Sequence, residues 1–283
     1  MAKFLGVRGS VPASRLMRAA SLYIPVDKLR VATAAADAAV ALLDASSTTR
    51  VRDIIWRWVY AESTAGRWQH MSRVYIPRTN ELSAYTDLKN GATATPAGTP
   101  VYAAQDGFVL QYGDTVDLSA DLGSLYGAAN VDGCVVGTFA SAISDKLGFY
   151  SLIDGDPFTS DFQIAGRVST AKAAANWLGG FYGPTDTAYA ESKLLSQVVQ
   201  VQGASSSGAG YAMLSFADGD SEVVAPAGTP QTVLSASVNQ NKHFNASNSC
   251  TQTWAMSYVA SSELDFTGFA GRAGAMLAEL AIP

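Results

Sequence analysis

Residues 93–113, TATPAGTPVYAAQDGFVLQYG, constrain the fold more than any other stretch of this chain. They read as a turn, a short apolar run of β type, a tight Asp-Gly turn and a second such run. Pro96 and Pro100 fix φ and withhold backbone donors, so they mark the edge and entry of a strand rather than a sheet interior. Residues 101–104 and 108–112 are then the arms of a hairpin closing about Gln105, Asp106 and Gly107. The five residues Pro96–Pro100 return unchanged at Pro226–Pro230, again ahead of an apolar run, which suggests two β-rich halves of similar plan.

Other segments supply helices. Residues 27–45 are alanine-rich, with Asp27 placed to cap and Leu29, Val31, Val40, Leu42 and Leu43 as apolar positions. Residues 169–181 and 185–202 read as a middle helical pair, the β-branched end of the second reading equally as a strand, and 266–282 as a terminal helix whose small residues permit close packing. The expected class is α+β with β dominant: short antiparallel strands carrying N-terminal, middle and C-terminal helices. The expected organisation is an arm over residues 1–26, a main α+β domain over 27–202, a flexible loop over 203–210 (GASSSGAG), and a second β-rich part with the closing helix over 211–283.

Residues 51–77, VRDIIWRWVYAESTAGRWQHMSRVYIP, read as two strands around a turn at 62–66. On that reading Ile54, Trp56, Trp58 and Tyr60 share one face of the first strand, and Trp68 and His70 one face of the second. Three tryptophans interleaved with arginines suit a subunit interface, so Trp56, Trp58, Trp68, Arg57 and Arg73 are the candidate contact residues. A stacking platform for bases or sugars is the alternative use of the same group.

Composition narrows the function. Only 15% of the 283 residues are charged, while 48% are hydrophobic and 10% aromatic, which is a folded chain with little charge to keep copies apart. Residues 1–90 carry a net +6 and residues 91–283 a net −11, an asymmetry that favours head-to-tail contact between copies. Lys3, Arg8, Arg15 and Arg18 allow weak contact of the N-terminal region with nucleic acid but are too few to neutralise a genome. The apolar run 31–43 is too short to span a bilayer and contains Asp37, so no membrane role is expected. Cys134 and Cys250 are too few for a disulfide scaffold.

The expected chemistry is sparse. The chain contains neither a phosphate loop nor a dinucleotide fingerprint, nucleophile elbow or His-Glu-x-x-His motif. Asp154-Gly155-Asp156 and Asp218-Gly219-Asp220 are turn sequences that do not match an EF-hand loop. The phrase PAGTPVYAAQDGFV resembles the β-hairpin of LytM-type zinc endopeptidases, which cut peptidoglycan cross-links. That resemblance implies zinc held by a His-x-x-x-Asp pair upstream and a His-x-His pair downstream. Upstream stand Asp87 and the distant His70, and downstream His243 alone, so the ligand set is incomplete and the resemblance is to a hairpin only. No enzyme, cofactor or metal is expected.

In general character, though in no family motif, the chain resembles virion structural proteins of viruses and tailed bacteriophages. That resemblance implies a self-assembling capsid, coat or tail-tube subunit, made in the host cytoplasm and partnered by copies of itself and other virion proteins. The competing expectation is a glycan-binding or surface-attachment module.

Overall fold

The computed structural model describes residues 25–111, 113–121, 124–125, 134–143, 149–151, 165–167, 177–182, 187–192, 200–206, 211–217, 220–224, 237–240, 252–261, 263–264 and 266–283. Its first helix, α1 (Val26–Ala41), starts and stops close to the expected positions. Its inward face is made of Ala32, Ala36 and Ala39, whose methyl side chains let the backbone approach its neighbour, while Val31 points to solvent. Asp27 lies in the first turn, but Pro25 occupies the N-cap position and no side chain caps the helix.

The second helix, α2 (Thr49–Thr64), corrects the strand expected over the same residues. The Thr48 hydroxyl accepts a hydrogen bond from the Val51 amide at 3.2 Å, and no proline or glycine interrupts the next sixteen residues. Burial falls on Ile54, Ile55, Trp58, Val59 and Glu62, the spacing of one helix face. The alternation of Ile54, Trp56, Trp58 and Tyr60 therefore matched a strand period by coincidence. Around the helix, Trp56 stacks on Tyr60 one turn away, with ring centroids 5.0 Å apart. After a 3-10 turn at Trp68–His70 the second expected arm is a strand, β1 (Met71–Tyr75).

The remaining described strands are β2 (Thr95–Ala97), β3 (Val101–Ala103), β4 (Gly107–Leu110), β5 (Thr115–Asp121), β6 (Cys134–Ile143), β7 (Phe149–Ser151), β8 (Ala165–Arg167), β9 (Trp177–Tyr182), β10 (Thr187–Ser192), β11 (Gln200–Ser206), β12 (Tyr211–Ala217), β13 (Asp220–Val224), β14 (Ser237–Gln240) and β15 (Gln252–Ser261); α3 (Phe266–Leu280) closes the chain. An eight-stranded antiparallel sheet runs β13-β12-β11-β6-β15-β4-β3, with β1 added to β15. β14, β5 and β2 form a smaller sheet, and β9–β10 and β7–β8 form two ribbons.

β15 is the centre of this arrangement. β6 follows one of its sides throughout, while the other side is shared: residues 252–254 pair with β4 and residues 257–260 with β1. Every residue from Thr253 to Ala260 is buried, so both faces of the sheet are covered there. On one face α2 and α3 bring Trp58, Val59, Phe269, Ala273 and Leu277 against Val74, Met256 and Tyr258. Phe269 meets Tyr258 edge-on at 4.7 Å. On the opposite face of β1, the Tyr75 hydroxyl donates to the Leu118 carbonyl at 2.5 Å, beneath the buried Val116, Leu118 and Ala120 of β5.

The α+β, β-rich class thus holds, with different helix positions. β9, β10 and the start of β11 lie where the middle helical pair was expected. Antiparallel partners decide this: β9 pairs with β10, and β11 is held between β6 and β12, which overrides the helical preference of the local alanines. Residues 203–206, expected in a flexible loop, are the second half of β11. The first Pro96–Pro100 segment enters through β2 at an edge of the smaller sheet, as its prolines require. Its second copy at 226–230, the 154–156 turn, Cys250, His243 and the N-terminal arm lie outside the described residues.

Candidate functional site

Three groups of polar side chains stand out, and two of them are spent on the fold. Glu62 on α2 is fully buried; its carboxylate meets Arg67 Nε at 2.5 Å and Arg272 Nε at 3.2 Å, tying α2 to α3. Asp87 is also fully buried. Its Oδ1 accepts from the Val74 amide at 2.8 Å and the Lys89 amide at 2.9 Å, anchoring the connection after β1. Its Oδ2 faces Arg73 Nε at 3.6 Å, beyond hydrogen-bond reach. Burial pushes the Asp87 carboxyl up to about 6, against the opposing pull of the two amides, Arg73 and Lys89.

The third group lies at the surface, beside the hairpin of β3 and β4. The hairpin closes through Ala104, Gln105 and Asp106, and register places Tyr102 opposite Phe108. Gly107 has φ +106°, and a Cβ there would lie 2.0 Å from the Trp254 carbonyl oxygen, so this turn seats the hairpin directly on β15. Phe108 is buried and serves as a platform: Tyr85 stacks on it at 4.8 Å, and Tyr102 meets it edge-on at 5.3 Å. Trp254 backs the group, 6.4 Å from Tyr85. Tyr85 and Tyr102 are half-buried, and among the described residues neither hydroxyl has a hydrogen-bond partner.

Carboxylates act on these two phenols. Burial and the neighbouring Glu81 raise both; Tyr85, which also feels Asp114, is pushed up to about 12. Glu81 is exposed, next to the exposed Leu82. Asp114 is held in place by the Thr99 amide at 2.7 Å and the Gln111 amide at 2.9 Å. Arg78 supports the turn from below: its guanidinium is buried, donates to the Leu277 carbonyl at 2.9 Å and lies 3.7 Å from Asp106. Aromatic walls with a few polar tips and an exposed acceptor are the chemistry that binds a polyhydroxylated ring: apolar faces pack on the aromatics, and hydroxyls pair with phenol and carboxylate.

The residues expected at an interface are dispersed. Trp58 and Trp68 are enclosed in the chain's own core, 5.8 Å apart and edge-on. Lys89 lies 5.0 Å over the Trp68 ring and donates to its backbone carbonyl at 2.7 Å. Trp56 is half-buried and donates to Asp37 on α1 at 2.7 Å. Arg57 is exposed and bridges Asp53 at 2.9 Å and Glu279 on α3 at 2.6 Å. Arg73 donates to the Ser72 and Ser119 carbonyls. His70 Nδ1 lies 3.3 Å from both Ser261 Oγ and Glu263 Oε2. A nucleophile and its orienting acid would need opposite ring nitrogens, so this trio is no catalytic relay. Among the described residues no cluster of His, Cys, Asp and Glu suits a metal ion, and no helix is long and apolar enough to cross a membrane.

The tyrosine group escaped the sequence reading because its parts are far apart. Tyr85 falls in a stretch read as a polar connection, and Trp254 arrives from a strand almost 150 residues beyond the hairpin. Only the Tyr102–Phe108 pair was implied by the hairpin itself.

The fold resembles that of several solved β-rich structures. No family model and no curated protein matches the sequence. A botulinum neurotoxin type C structure, from work on cell entry through two ganglioside molecules, matches with a TM-score of 0.54 at 11% identity, covering 75% of this chain and 52% of that one. The binding domain of botulinum neurotoxin DC in complex with rat synaptotagmin II matches at 0.55 and 9% identity, covering 74% and 52%. Tailspike protein 2 of an Escherichia coli O157:H7 bacteriophage gives 0.46 at 16% identity, covering 62% and 27%, too slight a likeness to carry an argument. The chain spans about half the length of the neurotoxin structures it matches, and at these identities the likeness is one of fold.

Proposed function

We propose that this protein is a glycan-binding attachment module, acting by recognition rather than catalysis, with its site at Tyr85 and Tyr102. The observation that carries this reading is the pair of half-buried tyrosines, Tyr85 and Tyr102, set on the Phe108 platform with hydroxyls that have no partner among the described residues. Such hydroxyls can donate to and accept from a ligand's own hydroxyls. The fold likeness to neurotoxin binding domains, one studied for its ganglioside contacts, is consistent with this use. The test is a glycan array probed with the whole chain, followed by titration of the best ligand. Tyr102→Ala should abolish binding while the far-ultraviolet circular dichroism stays unchanged. Binding that survives in Tyr102→Ala, or no binding to any glycan, would refute the assignment.

Membership of a self-assembling virion particle is the second reading, and low charge content with opposite charge in the two parts of the chain supports it. Its surface candidates are Trp56 and Arg57 on α2. Light scattering after size-exclusion chromatography separates the two readings: an attachment module runs as a small discrete species, and a shell or tube subunit as large assemblies.

A further inference from the structure

We propose that α1 is a dimer interface: it packs antiparallel on α1 of a second copy, about a two-fold axis between Thr33 and Ala34. The inward face of α1 is spent on the core through Ala32, Ala36 and Ala39. The stripe turned away from them is open. Val26 is 63% exposed, and Arg30, Thr33, Ala34 and Asp37 are exposed beside the half-buried Leu29. Together these residues line a hollow on the helix surface.

Charge complementarity identifies the occupant. Arg30 and Asp37 are the charged residues of the stripe. They stand seven positions apart, which is two helical turns or about 10.5 Å, and nearly in line. Their midpoint is the step from Thr33 to Ala34. A two-fold axis at that point sets Arg30 opposite Asp37 of the second copy and Asp37 opposite its Arg30, so one face supplies both ion pairs. The same operation sets Leu29 against Ala38 and Val26 against Ala41, each larger side chain over an exposed methyl, so the helices can approach closely. A parallel pairing in register would set Arg30 on Arg30 and Asp37 on Asp37, which like charge opposes. Trp56 donates to Asp37 at 2.7 Å, which positions the carboxylate and brings the Trp56–Tyr60 stack to the rim of the face. The axis closes the assembly at two copies.

The experiment is analytical ultracentrifugation of the whole chain over a concentration series. The natural chain should dimerise reversibly. Arg30→Asp and Asp37→Arg, each made alone, should raise the dissociation constant about tenfold or more, because each sets like charges together twice. Mixed in equal amounts, the two variants should regain the dimer, since the axis then sets opposite charges together at both positions. Ala34→Glu, at an exposed position away from the Trp56 bond, should weaken pairing equally and leave the circular dichroism unchanged. A natural chain that stays monomeric would overturn the proposal. So would a dimer or larger assembly that persists unchanged in Arg30→Asp and Ala34→Glu, because the contact would then lie elsewhere. Folded single variants that fail to recover on mixing would overturn the two-fold geometry. Variants that lower the melting temperature without changing the mass would assign this face to another part of the same chain and overturn the dimer.

Discussion

Asp87 offers the sharpest test of how this fold treats buried charge. Its carboxyl has no exposure, holds two backbone amides through one oxygen, and faces Arg73 across 3.6 Å with the other. Two influences compete: burial penalises the carboxylate, and the amides and cations favour it. Burial wins, raising the group from 3.8 to about 6. A carboxyl whose folded value exceeds its unfolded one binds more protons when folded between those two values. Its protonated form therefore stabilises the fold at low pH, and that contribution is lost as pH rises through about 6. The full contribution is about 3 kcal/mol, and about 2.4 kcal/mol of it should develop between pH 7 and pH 4. Asp87→Asn keeps an oxygen for the two amides and removes the titration. The assay is urea unfolding of both proteins at intervals from pH 7 to pH 4. Subtraction cancels every other titrating group, so the natural chain should gain about 2 kcal/mol on the variant across that range. A flat difference would refute the reasoning. A gain in the opposite direction would mean that Arg73 and Lys89 outweigh burial.

Three further outcomes follow from the packing. Glu62→Ala strips the counter-charge from the buried Arg67 and should cost about 3–5 kcal/mol in denaturant unfolding; a loss below about 1 kcal/mol would show that the pair adds little. Tyr75→Phe removes the hydroxyl that satisfies the Leu118 carbonyl and should cost about 1–3 kcal/mol, read from the same curves. Gly107→Ala places a methyl against the Trp254 carbonyl and should lower the melting temperature by several degrees, about 2 kcal/mol or more; an unchanged melting temperature would refute the close approach of hairpin and β15.

Much of the fold was legible in the chain itself. The prolines at 96 and 100 define a strand edge because they withhold donors; the Asp106-Gly107 pair defines a turn because glycine alone accepts φ +106° beneath the Trp254 carbonyl; Ala32, Ala36 and Ala39 keep the helical spacing that α1 buries. These are local properties, and local chemistry decides them. Residues 54–60 were ambiguous, because apolar side chains at every second position satisfy a strand while those at three and four satisfy a helix. The partners arriving from β15 and α3 selected the helix by covering Trp58 and Val59 on one side. β9 and β10 pair with each other, and β11 became a strand because the distant β6 was available to pair with it, a fact absent from any local window of sequence. The candidate site is the extreme case. Tyr85, Tyr102, Phe108 and Trp254 come together only once β15 has taken its place beside β4, because a binding surface is made of side chains that share a location, and location is a property of the folded chain.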